Sequence, residues 1–286
     1  MSGKFTVGLV QLNAGRELAP NIAAASELIR KARARGADFI LTPENAVMME
    51  PKRPLILEKA RSEAEHPAIP AFRALAAELG AWLLVGSLAI KLDAEHCANR
   101  SILIDPQGRI AQRYDKIHMF DVDLESGESY RESATFRPGA RAAMADLPWG
   151  RLGMTVCYDL RFAYLYRALA QAGADLITVP AAFTRPTGEA HWHLLLRARA
   201  IETGAFVFAP AQCGEHAEGR KTYGHSLVVA PWGEILAEGT PAEPGVILAE
   251  IDPAKVQEAR SMIPALRHDR PFEAPALLEP LRAAGE

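Results

Sequence analysis

Cys157 lies at a position in the sequence where a thiol could act as a nucleophile. It follows residues 152–156, an apolar-leaning segment typical of a buried strand, and a helix is predicted from residue 163. The carboxyl ends of strands are where open α/β sheets gather their sites, and amides at a helix start favour a thiolate. Free cysteine is also often buried for packing alone. The local sequence therefore leaves two interpretations of Cys157, a nucleophile or a structural residue.

A thiol nucleophile also needs a base and a donor for the oxyanion. Two other predicted strand ends offer candidates. Glu44 follows a short strand predicted at residues 38–41, and Lys116 follows a strand predicted at residues 109–114. Taken alone, each is an ordinary surface residue. Because strand ends can meet at one edge of a sheet, their shared placement favours a site built from Glu44, Lys116 and Cys157.

The elements that would position these residues alternate between strand and helix patterns, which predicts a mixed α/β domain. Helices are predicted at residues 21–35, 68–79, 163–172, 189–203 and 253–261, and strands at 4–12, 38–41, 82–85, 152–156, 175–179, 205–210 and 246–251. Two hairpins are predicted at 101–114 and 226–237, because each contains an x-Pro-x-Gly turn. No Pro/Ser-rich linker divides the chain, so we predict one domain over residues 1–262 and a tail over 263–286 that packs on the domain or a partner subunit.

Composition excludes several classes of protein. The chain has 286 residues, of which 49% are hydrophobic and 23% charged, as in ordinary globular proteins. Its 32 Lys and Arg against 35 Asp and Glu give no electrostatic basis for a nucleic-acid or membrane partner. The first residues lack the apolar stretch of a signal peptide, and three cysteines cannot all pair within the chain. We therefore expect a cytoplasmic protein with free thiols.

Three motifs resemble those of a known family. They are Pro43-Glu44, Asp115-Lys116-Ile117-His118 and Cys157-Tyr158-Asp159-Leu160-Arg161-Phe162. Their order and spacing resemble the nitrilase (carbon–nitrogen hydrolase) superfamily, and the resemblance covers about residues 7–271. It implies a four-layer αββα sandwich in which two mixed β-sheets pack face to face. It also implies a homodimer or larger homo-oligomer that uses no cofactor.

The resemblance assigns roles to the three strand-end residues. Cys157 would attack an amide carbon to form a thioester, and Glu44 would take the thiol proton and pass it to the leaving amine. Lys116 and the backbone amide of Tyr158 would stabilise the oxyanion. Burial would move the pKa values of Glu44 and Lys116 from their solution values.

Further residues receive roles from position and family likeness. Glu132 matches a second catalytic acid that holds Lys116 or orients the substrate. Asp159 and Arg161 are expected to be structural, for instance as an ion pair beneath the site. The expected pocket lining, which binds a small-molecule amide substrate, consists of Asn45, Tyr158, Phe183 and Thr187.

The block Gln212-Cys213-Gly214 resembles the branch of the family that holds deaminated glutathione amidase and ω-amidase. That branch implies a carboxylate-bearing amide, deaminated glutathione above all. The alternatives are an ω-amidase acting on 2-oxoglutaramate, an N-carbamoyl-amino-acid hydrolase and a true nitrilase. A substrate carboxylate would need a cation, and the loop candidates for it are Arg131, Arg185, Arg220 and Lys221.

Other kinds of site find little support. Cys97, Cys213, His216 and His225 lack the tight spacing of a zinc motif, so we predict no metal. Cys97 has no predicted role. The chain has no G-x-S-x-G, G-x-G-x-x-G or P-loop sequence. A non-catalytic scaffold with this fold would be expected to have lost one of the three strand-end residues, and all three are present.

Overall fold

Two six-stranded mixed sheets form the centre of the part of the chain that the computed structural model describes, residues 3–124 and 127–275. In spatial order the first contains β16 (Gly245–Ile251), β1 (Phe5–Gln11), β2 (Phe39–Leu41), β3 (Trp82–Lys91), β4 (Cys97–Ile104) and β5 (Ile110–Asp115). The second contains β15 (Ile235–Glu238), β14 (Leu227–Val229), β11 (Phe206–Ala209), β10 (Leu176–Thr178), β9 (Gly150–Met154) and β8 (Ala143–Leu147). Two small ribbons pair β6 (Asp121–Asp123) with β7 (Ser129–Arg131) and β12 (Cys213–Glu215) with β13 (Lys221–Tyr223).

The helices pack outside the sheets. They are α1 (Leu18–Ala34), α2 (Arg53–Lys59), α3 (Ala68–Leu79), α4 (Ala163–Gln171), α5 (Arg185–Thr203) and α6 (Ala254–Met262). Short 3-10 helices span Glu132–Ala134, Cys157–Arg161, Ala217–Gly219 and Ala265–Arg267. No helix within the described ranges is long and apolar enough to cross a bilayer.

Successive side chains of the central strands point to opposite faces of the sheet, and each face packs into a different hydrophobic core. Val7 and Leu9 of β1 pack with Phe208 of the second sheet, in the layer between the sheets. Val10 of β1 belongs instead to a cluster with Ile29 of α1 and further residues of α3. Because both faces of β1 to β3 are covered, these parallel strands are mostly apolar. The predicted αββα sandwich is confirmed.

Both predicted hairpins are present. In the first, β4 and β5 pair antiparallel, and the amide of Gly108 donates to the carbonyl of Asp105 at 2.8 Å. In the second, β14 and β15 pair antiparallel, and the amide of Gly233 donates to the carbonyl of Ala230 at 2.9 Å. The x-Pro-x-Gly pattern thus identified both turns.

Several predicted boundaries were wrong. Helices α1 and α5 begin at Leu18 and Arg185, earlier than predicted, because Pro20 and Pro186 lie in their first turns, where the missing N–H costs nothing. The strand predicted at 82–85 continues to Lys91 through a bulge. Helix α2, strand β8 and the two ribbons were not predicted, since their segments are short or mostly polar.

Gly86 lies at that bulge and permits the close approach on which the site depends. A Cβ there would lie 2.0 Å from the carbonyl oxygen of Thr42 and 2.5 Å from Cβ of Pro180. Thr42 leads out of β2 towards Glu44, and the carbonyl of Pro180 accepts the amide of Cys157 at 2.9 Å. A glycine therefore lets the strand ends of the two sheets come together.

The described part of the predicted tail, residues 263–275, contacts α4. The carboxylate of Asp269 accepts hydrogen bonds from Arg167 and Gln171, and the carbonyl of Ala265 accepts a second one from Arg167. The remainder, residues 276–286, lies outside the described residues. The division at residue 262 stays a prediction.

Candidate active site

The structure brings Glu44, Lys116 and Cys157 to one cavity of about 200 Å³. Glu44 follows β2, Lys116 follows β5 directly, and Cys157 opens the 3-10 helix after β9. Two of these strands belong to the first sheet and one to the second. The cavity therefore lies where strand ends of both sheets meet.

Lys116 is held by two carboxylates. Its side chain is only 1% exposed. Its Nζ lies 2.9 Å from Oε1 of Glu44 and 2.8 Å from Oε2 of Glu132. Oε2 of Glu132 also accepts the amide of Phe120 at 2.7 Å, which fixes that carboxylate. A buried ammonium with two carboxylate partners stays charged.

Glu44 is fixed from four sides. Its Oε1 accepts the side-chain amide of Asn99 at 2.9 Å as well as Lys116, and its Oε2 accepts the backbone amide of Ala182 at 2.9 Å. The backbone carbonyl of Glu44 accepts a hydrogen bond from Nε2 of Gln212 at 3.0 Å. The carboxylate consequently has one orientation, in which it interacts with the thiol of Cys157.

Cys157 occupies a left-handed backbone conformation, with φ of 47°. That conformation is costly for a residue with a side chain and persists only when its surroundings impose it. Here the amides of Val156 and Cys157 are bonded, to Oδ2 of Asp159 at 2.9 Å and to the carbonyl of Pro180 at 2.9 Å. The sharp turn after β9 presents the thiol to the cavity.

Burial and charge together set the protonation states. Burial opposes the Glu44 carboxylate, but Lys116 and hydrogen bonds from Cys157, Lys116 and Asn99 outweigh it and lower the pKa of Glu44. Burial also opposes the ammonium, yet Glu132 and Glu44 raise the pKa of Lys116 well above its usual value. Burial and then Glu44 raise the pKa of Cys157 well above its usual value. The resting site thus holds a carboxylate, an ammonium and a neutral thiol.

A neutral thiol next to a carboxylate can react only if the carboxylate takes its proton during attack. The two negative charges of Glu44 and Glu132 already exceed the single charge of Lys116. A thiolate at Cys157 would add a third buried negative charge. The arrangement therefore supports general-base attack rather than a stored thiolate.

The four residues predicted to line the pocket all line this cavity. They are Asn45, Tyr158, Phe183 and Thr187. Of the four cations proposed for a substrate carboxylate, Arg131 and Arg220 also line it. Arg185 pairs instead with Glu189 at 2.9 Å, and Lys221 faces Glu215 at 3.6 Å, both outside the cavity.

The expected ion pair between Asp159 and Arg161 was wrong. Asp159 accepts from Nδ1 of His118 and from the hydroxyl of Tyr114, each at 2.7 Å. Arg161 lies over the rings of Tyr158 and Phe183, at 5.8 and 5.4 Å. The buried carboxylate therefore ties the segment after Lys116 to the turn at Cys157, while Arg161 packs on the cavity wall.

Sequence reasoning missed two residues that hold Glu44. Asn99 lies inside β4 and donates to both Glu44 and Glu132, at 2.9 and 3.0 Å. Gln212 holds the Glu44 carbonyl and accepts the amide of Ala14 at 3.0 Å. No sequence signal singled out Asn99, because it precedes the hairpin predicted from residue 101 and is followed in β4 by the polar Arg100 and Ser101.

One group within the described ranges has ligand atoms close enough to surround a metal ion: His193, His225 and Glu238, whose atoms lie within 4.8 Å of one another. Both imidazoles bond Oε1 of Glu238, at 2.9 and 2.6 Å. These residues lie outside the cavity. Their hydrogen bonds explain the cluster, and the expectation of no metal stays a prediction.

Comparison with known proteins gives concordant matches. A family model described as carbon–nitrogen hydrolase matches residues 6–261. The chain is 40% identical to the deaminated glutathione amidase of Yersinia enterocolitica over 92% of each chain. The structure of the C. elegans NitFhit protein matches with a TM-score of 0.87 and 34% identity, over 94% of this chain and 66% of that one.

A second solved structure bears on the cysteine. It is a mutant of the amidase from Nesterenkonia sp. AN1, showing the result of Michael addition of acrylamide at its active site cysteine. It matches with a TM-score of 0.76 and 27% identity, over 91% of this chain and 98% of that one.

Proposed function

Because the chain belongs to the carbon–nitrogen hydrolase family, we propose that it is a thiol amidase that hydrolyses deaminated glutathione, a small carboxylate-bearing amide, through a thioester on Cys157. The observation that carries the proposal is the meeting of Glu44, Lys116 and Cys157 at one cavity. The Yersinia relative, a deaminated glutathione amidase, supports the choice of substrate. The acrylamide adduct on the Nesterenkonia amidase supports a reactive cysteine in this fold.

In the first half of the reaction the Cys157 thiol adds to the amide carbon. Glu44 removes the thiol proton as the S–C bond forms, so no free thiolate accumulates. The carbonyl oxygen becomes an oxyanion. Collapse of this intermediate breaks the C–N bond, and the proton held by Glu44 passes to the departing amine. The acyl group remains on sulfur as a thioester.

In the second half water replaces the amine. Glu44, again a carboxylate, removes a proton from the water as its oxygen adds to the thioester carbon. Collapse of the second intermediate breaks the C–S bond and releases the carboxylic acid. The proton on Glu44 returns to the sulfur, which restores the neutral thiol.

Lys116 and the backbone amide of Tyr158 stabilise the oxyanion in both halves. A buried ammonium is an effective donor because little water competes with it. Glu132 acts as a positioning residue, since it bonds Nζ of Lys116 at 2.8 and 3.0 Å. It keeps Lys116 charged and in place while Glu44 changes its protonation.

The proposal includes a homodimer or larger homo-oligomer in the cytoplasm. A surface groove between α4, α5 and α6 is lined by Ile201, Trp232 and Ile263. Ile201 is 56% exposed and Trp232 49% exposed, which is unusual for clustered apolar side chains on a free surface. A second copy would cover them. Three free cysteines suit the reducing cytoplasm.

The test is a substrate panel on the purified protein. Deaminated glutathione, 2-oxoglutaramate and N-carbamoyl amino acids are compared by kcat/KM, with product identified by mass spectrometry. Preference for deaminated glutathione supports the proposal, and release of ammonia with 2-oxoglutarate would identify an ω-amidase instead. Carbon dioxide with ammonia would identify a carbamoyl hydrolase. Cys157→Ala should abolish turnover and Cys213→Ala should retain it; residual turnover in Cys157→Ala would contradict the mechanism.

A further inference from the structure

A second chain of hydrogen-bonded reactive groups lies outside the catalytic cavity. Tyr164 is in the first turn of α4, and its hydroxyl lies 2.5 Å from Nε2 of His118. Nδ1 of the same imidazole lies 2.7 Å from Oδ1 of Asp159. None of the three lines the cavity. A phenol, an imidazole and a carboxylate in this order have the arrangement of a nucleophile, its general base and the group that orients the base.

Asp159 determines which nitrogen of His118 is the base. The carboxylate is fully buried, and it also accepts the amide of His118 at 3.1 Å and the hydroxyl of Tyr114 at 2.7 Å. Because a carboxylate can only accept, Nδ1 of the neutral His118 ring carries the proton. Nε2 then has a free lone pair, and the hydroxyl of Tyr164 donates to it. The phenol proton is thus already directed at a base.

The imidazole of His118 is held in a single orientation. The ring of Phe162 stacks on it, with 3.6 Å between the ring centroids and 9° between the planes. The His118 side chain is only 11% exposed, so little water competes for Nε2. A base held in this way needs no reorientation when it accepts a proton.

Tyr164 is open to molecules from outside. It is 66% exposed, whereas the other five tyrosines of the chain are buried or half-buried. The groove that we propose as the subunit interface is lined by Ala170 and Gln171, at the opposite end of α4. An electrophile can therefore approach the Tyr164 oxygen without entering the catalytic cavity.

We infer that Tyr164 is a second nucleophile of this protein, which takes the acyl group of aryl esters with His118 as its base. The phenol oxygen adds to the ester carbon while its proton moves to Nε2. Collapse of the intermediate breaks the bond to the aryl oxygen, and the proton on Nε2 passes to that oxygen. The products are an acylated Tyr164 and a free phenol. This reaction uses no group of the Cys157 site.

The chemistry of a phenol restricts the donors. A phenoxide displaces only leaving groups of similar or lower basicity, which excludes the amides and alkyl esters and admits aryl esters. The ring of Phe162, with its centroid 6.1 Å from that of Tyr164, adds apolar surface on which an aryl group can pack. Water that adds to the acylated Tyr164, with His118 again as base, would release the acid and restore the phenol.

The experiment uses Cys157→Ala, which removes the competing thiol, with p-nitrophenyl acetate as the donor. Peptide mapping should find Tyr164 to be the first tyrosine acetylated. His118→Asn in the same background places an amide N–H where Nδ1 donated to Asp159, but it removes the base. Acetylation of Tyr164 should then slow about 100-fold, the usual size of a general-base effect.

Two phenylalanine variants complete the comparison. Tyr164→Phe keeps the exposed ring without its hydroxyl, so release of p-nitrophenolate should fall as it does in His118→Asn. Tyr223→Phe is the matched control, because the Tyr223 ring packs against that of His225, at 4.4 Å, and it should behave as the parent. Continued release that Tyr164→Phe abolishes would show that the ester turns over, which also supports the inference.

Three results would overturn the inference. Acetylation of Tyr164 at an unchanged rate in His118→Asn would identify an ordinary exposed phenol. Release that survives Tyr164→Phe and is lost in His118→Asn would make His118 itself the nucleophile. Neither acetylated Tyr164 nor release that depends on Tyr164 would mean that the phenol is unreactive.

Discussion

Asn99 donates a 2.9 Å hydrogen bond to Oε1 of Glu44, the same oxygen that Lys116 contacts. Its side-chain nitrogen also reaches Oε1 of Glu132 at 3.0 Å. One neutral amide therefore bridges two carboxylates that would otherwise repel each other in a buried site. Asn99 acts as a positioning residue, because it holds the base in the orientation that faces the thiol.

Replacing Asn99 by Ala should move the acid side of the pH profile to higher pH. The hydrogen bond from Asn99 helps to lower the pKa of Glu44, so its loss allows that pKa to rise. The rate at the optimum should also fall about tenfold, as for one lost hydrogen bond to a charged group. The measurement is kcat/KM against pH, which reports groups of the free enzyme. Asn13→Ala, which loses hydrogen bonds to the carbonyls of Cys213 and Glu215, is the control and should leave the pH profile unchanged. If the acid side of the profile did not move in Asn99→Ala, the positioning role of Asn99 would be contradicted.

The contrast between Glu44 and Asn99 indicates what the sequence could predict. Glu44, Lys116 and Cys157 each follow a strand, so their convergence could be expected from the rule that sites form at strand ends. Asn99 lies inside β4, and only the pairing of β4 with β5 brings it beside Lys116, whose amide donates to its carbonyl at 3.0 Å. Such a placement depends on the register of the β4–β5 hairpin, which shifts at a bulge between Leu103 and Ile104.

The environment of Arg220 was also beyond local sequence. Arg131, Arg185, Arg220 and Lys221 were equivalent as loop cations in the sequence. In the structure Arg131, Arg185 and Lys221 lie beside acids that are close to them in the sequence, whereas Arg220 lies over the ring of Tyr130, far from it in the chain. The same holds for Asp159, whose partners His118 and Tyr114 lie far from it in the chain.

Iodoacetamide should modify Cys157 before the other two cysteines. Burial raises the pKa of Cys97 to about 11 and that of Cys213 to about 12, and neither lines the cavity. The pKa of Cys157 is raised by burial and by Glu44 too, but that carboxylate can take its proton during alkylation. Peptide mapping by mass spectrometry should therefore find label at Cys157 first.

The dependence of the alkylation rate on Glu44 provides a control for this labelling. Glu44→Gln should slow alkylation of Cys157 about 100-fold, the usual size of a general-base effect. Cys213→Ala should leave the rate unchanged. Equal labelling of Cys97, or a rate indifferent to Glu44→Gln, would argue against assisted attack.

Chelation should not affect turnover. The proposed chemistry uses the side chains of Glu44, Lys116 and Cys157 and the backbone amide of Tyr158, and the His193, His225 and Glu238 cluster lies outside the cavity. We expect kcat to be the same before and after dialysis against EDTA, and His193→Ala to retain activity. Inactivation by EDTA that zinc or another divalent ion reverses would refute this expectation.

Placing a charge in the apolar groove should separate the subunits. Ile201→Asp puts a carboxylate among Trp232 and Ile263, where a second copy would have to bury it at a cost of several kcal/mol. Size-exclusion chromatography with light scattering should show a smaller species than wild type. Leu92→Asp, at an exposed position of the β3–β4 turn, should elute as wild type. A monomeric wild type, or an unchanged mass for Ile201→Asp, would contradict the proposal that this groove is the subunit interface.

His66 should make the protein less stable as the pH falls from 7 to 5. Its side chain is 1% exposed, and burial, followed by the charge of Arg61, lowers the pKa of His66 to about 4. Its Nδ1 accepts the amide of Ala68, which requires a neutral ring at that nitrogen. Because the unfolded chain binds a proton near pH 6.5 and the folded chain does not, the stability that this group contributes is present above pH 6.5 and is lost as the pH falls towards 4.

The loss attributable to His66 is about 2 kcal/mol of unfolding free energy between pH 7 and 5. Urea unfolding at the two pH values measures it. His66→Asn keeps an acceptor for the Ala68 amide and removes the titration, so its stability should fall by about 2 kcal/mol less over the same interval. His268→Asn replaces an exposed histidine near the chain end and should retain the wild-type difference. If His66→Asn lost as much stability as wild type between pH 7 and 5, protonation of other groups would have to account for the acid sensitivity.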